Sequence, residues 1–333
     1  MVDDHRQRPL GSEFTPASTA AEVVEGVDLS GKNVVITGGH GGIGLEVTRA
    51  LSAAGASVVV AARSPVTAAA AVDGLRRVEV EQLDLMDPSS IDGFVARRLA
   101  TGRPLHILVN AAGVAPPAAI VRDPRGYEAQ FATNHLGHFQ LTVGLHPALT
   151  AAHGARVVTV TSGAHRFSDI RWDDVNFGTG YTPEAAYAQS KTANVLFTVE
   201  LDHRWRGDGI RSYAAHPGVV VGTKLNGAAG PDALRAQGLI DDAGRPIIIP
   251  EHGRKTPQQG AATIVFGAVS PLLADIGGVY LKDSDVSRLD GEAKPMTTDP
   301  AEDIPADVAP HAIDARSARR LWELSERMLA RCA

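Results

Sequence analysis

Tyr187 and Lys191 stand four residues apart in the run Tyr187-Ala188-Gln189-Ser190-Lys191. That spacing puts both side chains on one face of a helix. A phenol that gives and takes a proton near neutrality must titrate well below its free value of about 10. An ammonium held one turn away favours the phenolate and lowers that value. Chance also produces a Tyr and a Lys at this spacing, so neighbouring residues must decide. Thr161-Ser162 follows the apolar run 157–160. At a strand end, Ser162 can hydrogen-bond a substrate oxygen beside Tyr187, or simply cap a helix or turn. Asn134 lies inside a helical stretch. Asn is a mediocre helix former, so a structural or functional hydrogen bond is expected there.

A second set of residues could hold a dinucleotide. Thr37-Gly38-Gly39-His40-Gly41-Gly42-Ile43-Gly44 follows an apolar run at 34–36 and opens a helical stretch from about 43 to 54. A pyrophosphate needs backbone N–H donors at a helix N-terminus and no Cβ in the way. Gly38 and Gly42 allow the close approach, and Gly44 lets the helix lie against the strand. The second strand ends Ala61-Ala62-Arg63-Ser64. A carboxylate there would take a ribose 2′-hydroxyl, whereas Arg63 can grip a 2′-phosphate, so the cofactor expected is NADP(H). His40 can add a donor near that phosphate, or be merely exposed. Asp84, with Leu85 beside it, can accept from the adenine amino group, although an Asp at a strand end also serves as a turn residue. Asn110-Ala111-Ala112-Gly113 ends the fourth strand with small residues that admit a cofactor. Pro217-Gly218 follows the sixth strand and can cover the nicotinamide, whose positive charge would favour a Tyr187 phenolate further.

The elements that must position these groups alternate. Apolar strands at 34–36, 58–60, 78–83, 107–109, 157–160, 212–215 and 279–281 are separated by helical stretches. This predicts an α/β fold, a doubly wound, Rossmann-like parallel sheet of seven strands. Helices are expected at 89–99 with Ser89 or Asp87 as N-cap, at 127–149 with a bend or end at Pro147, and at 186–205. The organisation expected is an N-terminal arm (1–28), one catalytic domain (29–285) and a C-terminal extension (286–333). The domain carries a Gly- and Pro-rich substrate lid at 223–256, and the extension ends in a helix at 312–330 that packs on the domain or a neighbouring subunit. Gly11-Ser12-Glu13-Phe14 in the arm reads equally as native sequence or as a translated cloning scar.

The net charge of −6 implies no basic face for nucleic acid. Cys332 is the single cysteine, so no disulfide framework forms within the chain, which fits a reducing, cytoplasmic compartment. No apolar run approaches the ~20 residues of a membrane span. The N-terminus lacks the order of a secretion signal. No metal site is expected.

Taken together and in this order, the glycine turn, Asn-Ala-Ala-Gly, Ser162 and Tyr-x-x-x-Lys resemble the short-chain dehydrogenase/reductase family, in its single-domain branch. The resemblance covers about 29–281. It implies a tetrad on Asn134, Ser162, Tyr187 and Lys191, with Tyr187 as acid and base and Ser162 orienting a carbonyl. Lys191 would also hold the nicotinamide ribose, and Asn134 a water that links Lys191 to solvent. Ala61-Ala62-Arg63, Thr133-Asn134-His135-Leu136-Gly137-His138-Phe139 and the run from Tyr187 to Asn194 resemble the retinol-dehydrogenase-like group. That implies lipophilic alcohols, aldehydes or ketones, usually with NADP(H), in a homodimer or homotetramer. One departure stands out. The family commonly places a Thr five positions after the Pro of the Pro-Gly turn; here Gly222 holds that place and Thr223 follows, reaching the carboxamide only if the loop bulges. His165, Phe167, Trp172 and Phe177 suggest an apolar or aromatic pocket, or ordinary packing. Two other readings compete: an epimerase or dehydratase using the same Tyr-Lys pair, and a redox-sensing NADP-binding regulator without turnover. The turn spacing disfavours the first and the intact tetrad the second.

Overall fold

A computed structural model describes residues 7–221, 223, 230–292 and 297–330. Its strands are β1 (Asn33–Thr37), β2 (Ser57–Ala62), β3 (Val78–Gln82), β4 (Ile107–Asn110), β5 (Ala155–Val160), β6 (Ile210–His216), β7 (Val219–Val220), β8 (Arg254–Lys255), β9 (Val279–Lys282) and β10 (Asp285–Val286). Its α-helices are α1 (Ala20–Val23), α2 (Gly42–Ala53), α3 (Pro65–Ala71), α4 (Pro88–Ala100), α5 (Ala129–Phe131), α6 (His138–Gly144), α7 (His146–Thr150), α8 (Pro183–Trp205), α9 (Gly230–Ala236), α10 (Pro257–Val269) and α11 (Ala315–Ala330).

Successive side chains of a strand point to opposite faces, and both faces of this sheet are covered. Val34, Ile36, Val58, Val60 and Val109 enter one core, against Val47 and Leu51 of α2 and Ile264 and Val265 of α10. Val35, Val59, Leu108 and Val157 enter the other, against Phe94, Phe139 and Phe197. This is why the central strands read as unbroken apolar runs. Burying one such side chain stabilises the fold by about 1.5–3 kcal/mol.

The sheet order is β10-β9-β6-β5-β4-β1-β2-β3. Seven strands are parallel, as the alternation predicts. β10 adds an antiparallel edge that two residues could not announce in the sequence. It turns on Asp283 (φ 52°) and Ser284 (φ 57°), both left-handed, as a two-residue hairpin requires. The strand order reverses between β1 and β4, and the crevice beyond their carboxyl ends is where such sheets take ligands.

The helix expected at 127–149 is broken. A π-helical turn, Ala132–Gly137, separates α5 from α6, and α7 starts afresh with Pro147 in its first turn. A Cβ at Gly137 would lie 2.4 Å from the Leu85 carbonyl, so the turn packs directly on the loop after β3. Asp87, not Ser89, caps α4 by accepting from the Ser89 N–H. Thr182 caps α8 by accepting from the Ala185 N–H.

The described part of the N-terminal arm is tied to the sheet. Gln7 is buried, its Nε2 donating to the Tyr280 and Ser287 carbonyls while its Oε1 accepts from the Tyr280 N–H. The Asp285 carboxylate accepts from the N–H groups of Leu10, Gly11 and Ser12. The terminal helix α11 folds on its own chain: Trp322 packs 4.9 Å from Phe139, and Tyr127 donates to the Met328 carbonyl. Within the insertion, the fully buried Arg254 donates to the carbonyls of Gly238, Asp299 and Glu302 and so fastens it to the C-terminal extension. Residues 222 and 224–229 of the Pro-Gly loop and insertion lie outside the described residues, as does Cys332.

Candidate active site

The β1–β4 crevice brings the glycine turn and the four polar candidates to one end of the sheet. Thr37 closes β1, and its Oγ1 accepts from the Ala111 and Ala112 N–H groups at 2.9 and 3.0 Å, which locks the end of β4 to the turn. Gly38 (φ 69°) and Gly42 (φ 50°) take left-handed backbone. A Cβ at Gly44 would lie 2.5 Å from the Gly38 carbonyl, so no larger residue fits. Gly41 caps α2 without a side-chain hydrogen bond, so no cap side chain competes for the N–H groups of the first turn. These features fit a dinucleotide phosphate. His40 is half-buried in the same turn, and Ile43 lies in the first turn of α2.

Arg63 follows β2 and is exposed, and it makes no side-chain hydrogen bond or ion pair among the described residues. Asp84 serves as a turn residue: its Oδ1 accepts from the Met86 N–H, which leaves Oδ2 for another donor. Leu85 beside it is buried. Asn110 donates through Nδ2 to Thr142 and Thr159, and its Oδ1 is buried without a partner. A Cβ at Gly113 would stand 3.4 Å from Asn134 Oδ1. Pro217 and Gly218 (φ 79°) follow β6, and a Cβ at Gly218 would lie 2.9 Å from Lys255 Cδ. Thr223 stands beside the glycine turn, with its methyl 3.4 Å from the place of a Gly42 Cβ.

Ser162 ends β5 and caps the 3-10 turn Gly163–Phe167, accepting from the Ala164 N–H. Its hydroxyl lies close enough to the Tyr187 phenol to pull that group down against burial. The cap reading of Ser162 holds, and the same hydroxyl lies beside Tyr187. Lys191 is buried; its Nζ donates to the Val160 carbonyl at 3.2 Å and lies 5.5 Å from the Tyr187 ring centre. Burial pulls Lys191 down to about 8, so it remains largely cationic at neutrality. Burial also pushes the Tyr187 phenol up, with the Ser162 hydroxyl pulling the other way. The phenol alone therefore stands above, not below, its ordinary value, against the expectation from the Lys191 spacing, and burial is the largest cause.

Asn134 sits in the π-helical turn, where its Nδ2 donates to Ser190 Oγ at 3.0 Å and its Oδ1 accepts from the Val114 N–H. Ser190 in turn donates to the Tyr187 carbonyl. The Asn134 side chain thus joins the loop after β4 to the first turns of α8.

Three of the four aromatic and histidine pocket candidates go elsewhere. His165 is fully buried beneath Ser162: its Nδ1 donates to the Ser162 carbonyl, its Nε2 accepts from the Ala309 N–H, and burial pushes it down to about 4. Trp172 lies 4.2 Å under the Arg320 guanidinium of α11. Phe177 (φ 51°) is buried against Tyr181 and Arg171. Each has packing partners of its own, the reading the sequence also allowed. Phe167 alone of the four is exposed, at 56%. The sequence reading missed two supports. His216 accepts through Nδ1 from the Gly163 N–H behind Ser162, and Lys255 packs behind Gly218 while ion-paired to Asp283. It also missed His138, although its spacing of four from Asn134 was visible.

No helix among the described residues is long and apolar enough to cross a membrane, and no group of three or more His, Cys, Asp or Glu among them could hold a metal ion.

Known proteins match this arrangement. The family model described as short chain dehydrogenase matches residues 32–233. A Streptomyces antibioticus protein named "Probable oxidoreductase" is 44% identical over 304 residues, covering 89% of this chain and 97% of its own. Human retinol dehydrogenase 12 is 36% identical over 313 residues, covering 91% of this chain and 88% of its own. Among solved structures, an uncharacterised protein from Mycobacterium paratuberculosis has a TM-score of 0.69 at 31% identity, covering 94% of this chain and 97% of its own.

Proposed function

The chain belongs to the short-chain dehydrogenase family, and from that premise we propose that it interconverts a ketone or aldehyde with the corresponding alcohol, using NADP(H) and Tyr187 as acid and base. One observation carries the reading: the Tyr187 phenol meets the Ser162 hydroxyl, with the Lys191 ammonium one turn away, at the end of the sheet where the uncapped glycine turn lies. NADP(H), when bound, supplies or accepts the hydride.

The protein's own residues do the rest. Ser162 and Tyr187 hydrogen-bond the substrate oxygen and polarise the carbonyl. Burial keeps the phenol protonated, which suits the acid that delivers a proton to the developing alkoxide. Lys191 then faces a phenolate rather than a phenol, and its charge favours that state. In the oxidative direction the same groups run in reverse. The tetrad assignment of Asn134, Ser162, Tyr187 and Lys191 belongs to this proposal. So do the cofactor contacts of Thr37 through Gly44, Arg63, Asp84, Leu85, Asn110, Ala111, Gly113, Pro217, Gly218 and Thr223.

Arg63 supports NADP(H) over NAD(H), because no carboxylate stands at the end of β2 to repel a 2′-phosphate. Phe167, exposed on the turn that begins at Ser162, supports an apolar substrate, and a relative named retinol dehydrogenase 12 points the same way. We place the insertion at 223–256 over the substrate, and the protein in the cytoplasm as a homodimer or homotetramer.

A panel of ketones, aldehydes and secondary alcohols, followed by reduced-nicotinamide absorbance, tests the proposal. At least one apolar member should be turned over faster with the NADP(H) couple than with NAD(H). Turnover only of sugar nucleotides, without net change in the cofactor, would instead identify an epimerase.

A further inference from the structure

We propose that His138 is a positioning residue that couples the cofactor turn to the catalytic helix through its two ring nitrogens; this rests on the oxidoreductase reading above. A chain of hydrogen bonds runs from one to the other. Thr37 Oγ1 lies 2.8 Å from His138 Nε2, and His138 Nδ1 lies 3.0 Å from the Asn134 carbonyl. Asn134 Nδ2 donates to Ser190 Oγ at 3.0 Å, and Ser190 Oγ donates to the Tyr187 carbonyl at 2.8 Å. Thr37 and Tyr187, 150 residues apart in sequence, are thereby joined by three intervening side chains.

The π-helical turn makes the middle of this chain available. The His138 N–H bonds the His135 carbonyl, so it does not close the ordinary bond to Asn134, four residues back. The imidazole reaches back to that carbonyl instead.

Its partners fix the tautomer. A carbonyl only accepts, so Nδ1 must carry the proton. With the proton on Nδ1, Nε2 is the acceptor; Thr37 Oγ1 already accepts from two backbone N–H groups, and its own hydrogen goes to Nε2 at 2.8 Å in preference to the Val109 carbonyl at 3.5 Å. The ring is buried and titrates near 4, chiefly through desolvation, so it stays neutral and keeps this one arrangement. Each nitrogen therefore has a separate task. Nε2 orders the hydroxyl that locks Ala111 and Ala112 to the glycine turn. Nδ1 holds the backbone of Asn134, whose side chain sets Ser190 and with it the turn that carries Tyr187.

Two amide variants separate the tasks. Asparagine places an N–H near the position of Nδ1 but cannot reach Thr37, and glutamine places an acceptor near Nε2 but leaves the Asn134 carbonyl. His138→Asn should raise the NADPH dissociation constant about tenfold, read by NADPH fluorescence, with kcat within about threefold of the wild type. His138→Gln should lower kcat about tenfold or more, with NADPH affinity within about threefold. A merely structural histidine would not produce this split. Equal losses in kcat and affinity in both variants, tracking their melting temperatures, would overturn the proposal, and so would two unchanged variants. A wild-type protein that binds NADPH without turnover would refute the oxidoreductase reading instead; His138→Asn must still weaken binding in that case, and unchanged affinity would overturn the coupling.

Discussion

Tyr187→Phe should lower kcat by about a thousandfold while NADPH affinity stays within about threefold. A positioned acid or base contributes about 10²- to 10⁴-fold, and phenylalanine removes the hydroxyl proposed to exchange a proton with the substrate oxygen while keeping the ring. The ring itself is needed for packing. It sits half-buried on α8, with Lys191 Nζ 5.5 Å from its centre, and phenylalanine preserves both the volume and that contact. Ser162 keeps its bond to the Ala164 N–H, so the 3-10 turn behind it should survive. The loss should therefore appear in kcat, with the melting temperature close to that of the wild type. Steady-state turnover and fluorescence titration measure the two sides separately. Activity within tenfold of the wild type would remove Tyr187 from the chemistry.

Arg63→Ala should raise the NADPH dissociation constant ten- to a hundredfold and leave NADH within about twofold. A hydrogen bond to a charged group contributes about 1.5–3 kcal/mol, and each 1.4 kcal/mol is a factor of ten. The guanidinium is exposed and its neighbours Ala61 and Ala62 carry no charge, so alanine frees no buried partner and should cost little stability. Binding titrations with the two cofactors supply the comparison. Equal weakening of both would mean that Arg63 grips no 2′-phosphate. Asp at this position should reverse the preference, because a carboxylate repels the phosphate and accepts from a free 2′-hydroxyl.

The sheet was legible because both of its faces are buried, and apolar runs such as Val34–Ile36 survive any detail of packing. The glycine turn was legible for a related reason: Gly44 stands where a Cβ would meet the Gly38 carbonyl, a contact between residues six apart. Contacts across the chain were not legible. The π-helical turn packs its Gly137 against Leu85, a residue outside the run 127–149, so the run by itself does not show that contact. His165, Trp172 and Phe177 have side chains suited to a pocket. Ala309 and Arg320, the partners of His165 and Trp172, come from the C-terminal extension, and residue type alone cannot tell a cleft from a core. The phenol shows the same limit in its electrostatics. Spacing announced the Lys191 charge, but the opposing desolvation exists only once the fold has closed around Tyr187. Asn134 is the reverse case: its poor fit to a helix correctly signalled a side chain with hydrogen bonds to make.

Hydride transfer beside Tyr187 is most directly tested with NADPH carrying deuterium at both C4 positions of the nicotinamide and the best carbonyl substrate of the panel, with mass spectrometry of the product. The account predicts one cofactor-derived deuterium on the carbinol carbon of the alcohol made by the wild type, and almost no product from Tyr187→Phe under the same conditions. Alcohol formed without cofactor deuterium on that carbon, or labelled alcohol formed equally well by Tyr187→Phe, would contradict it.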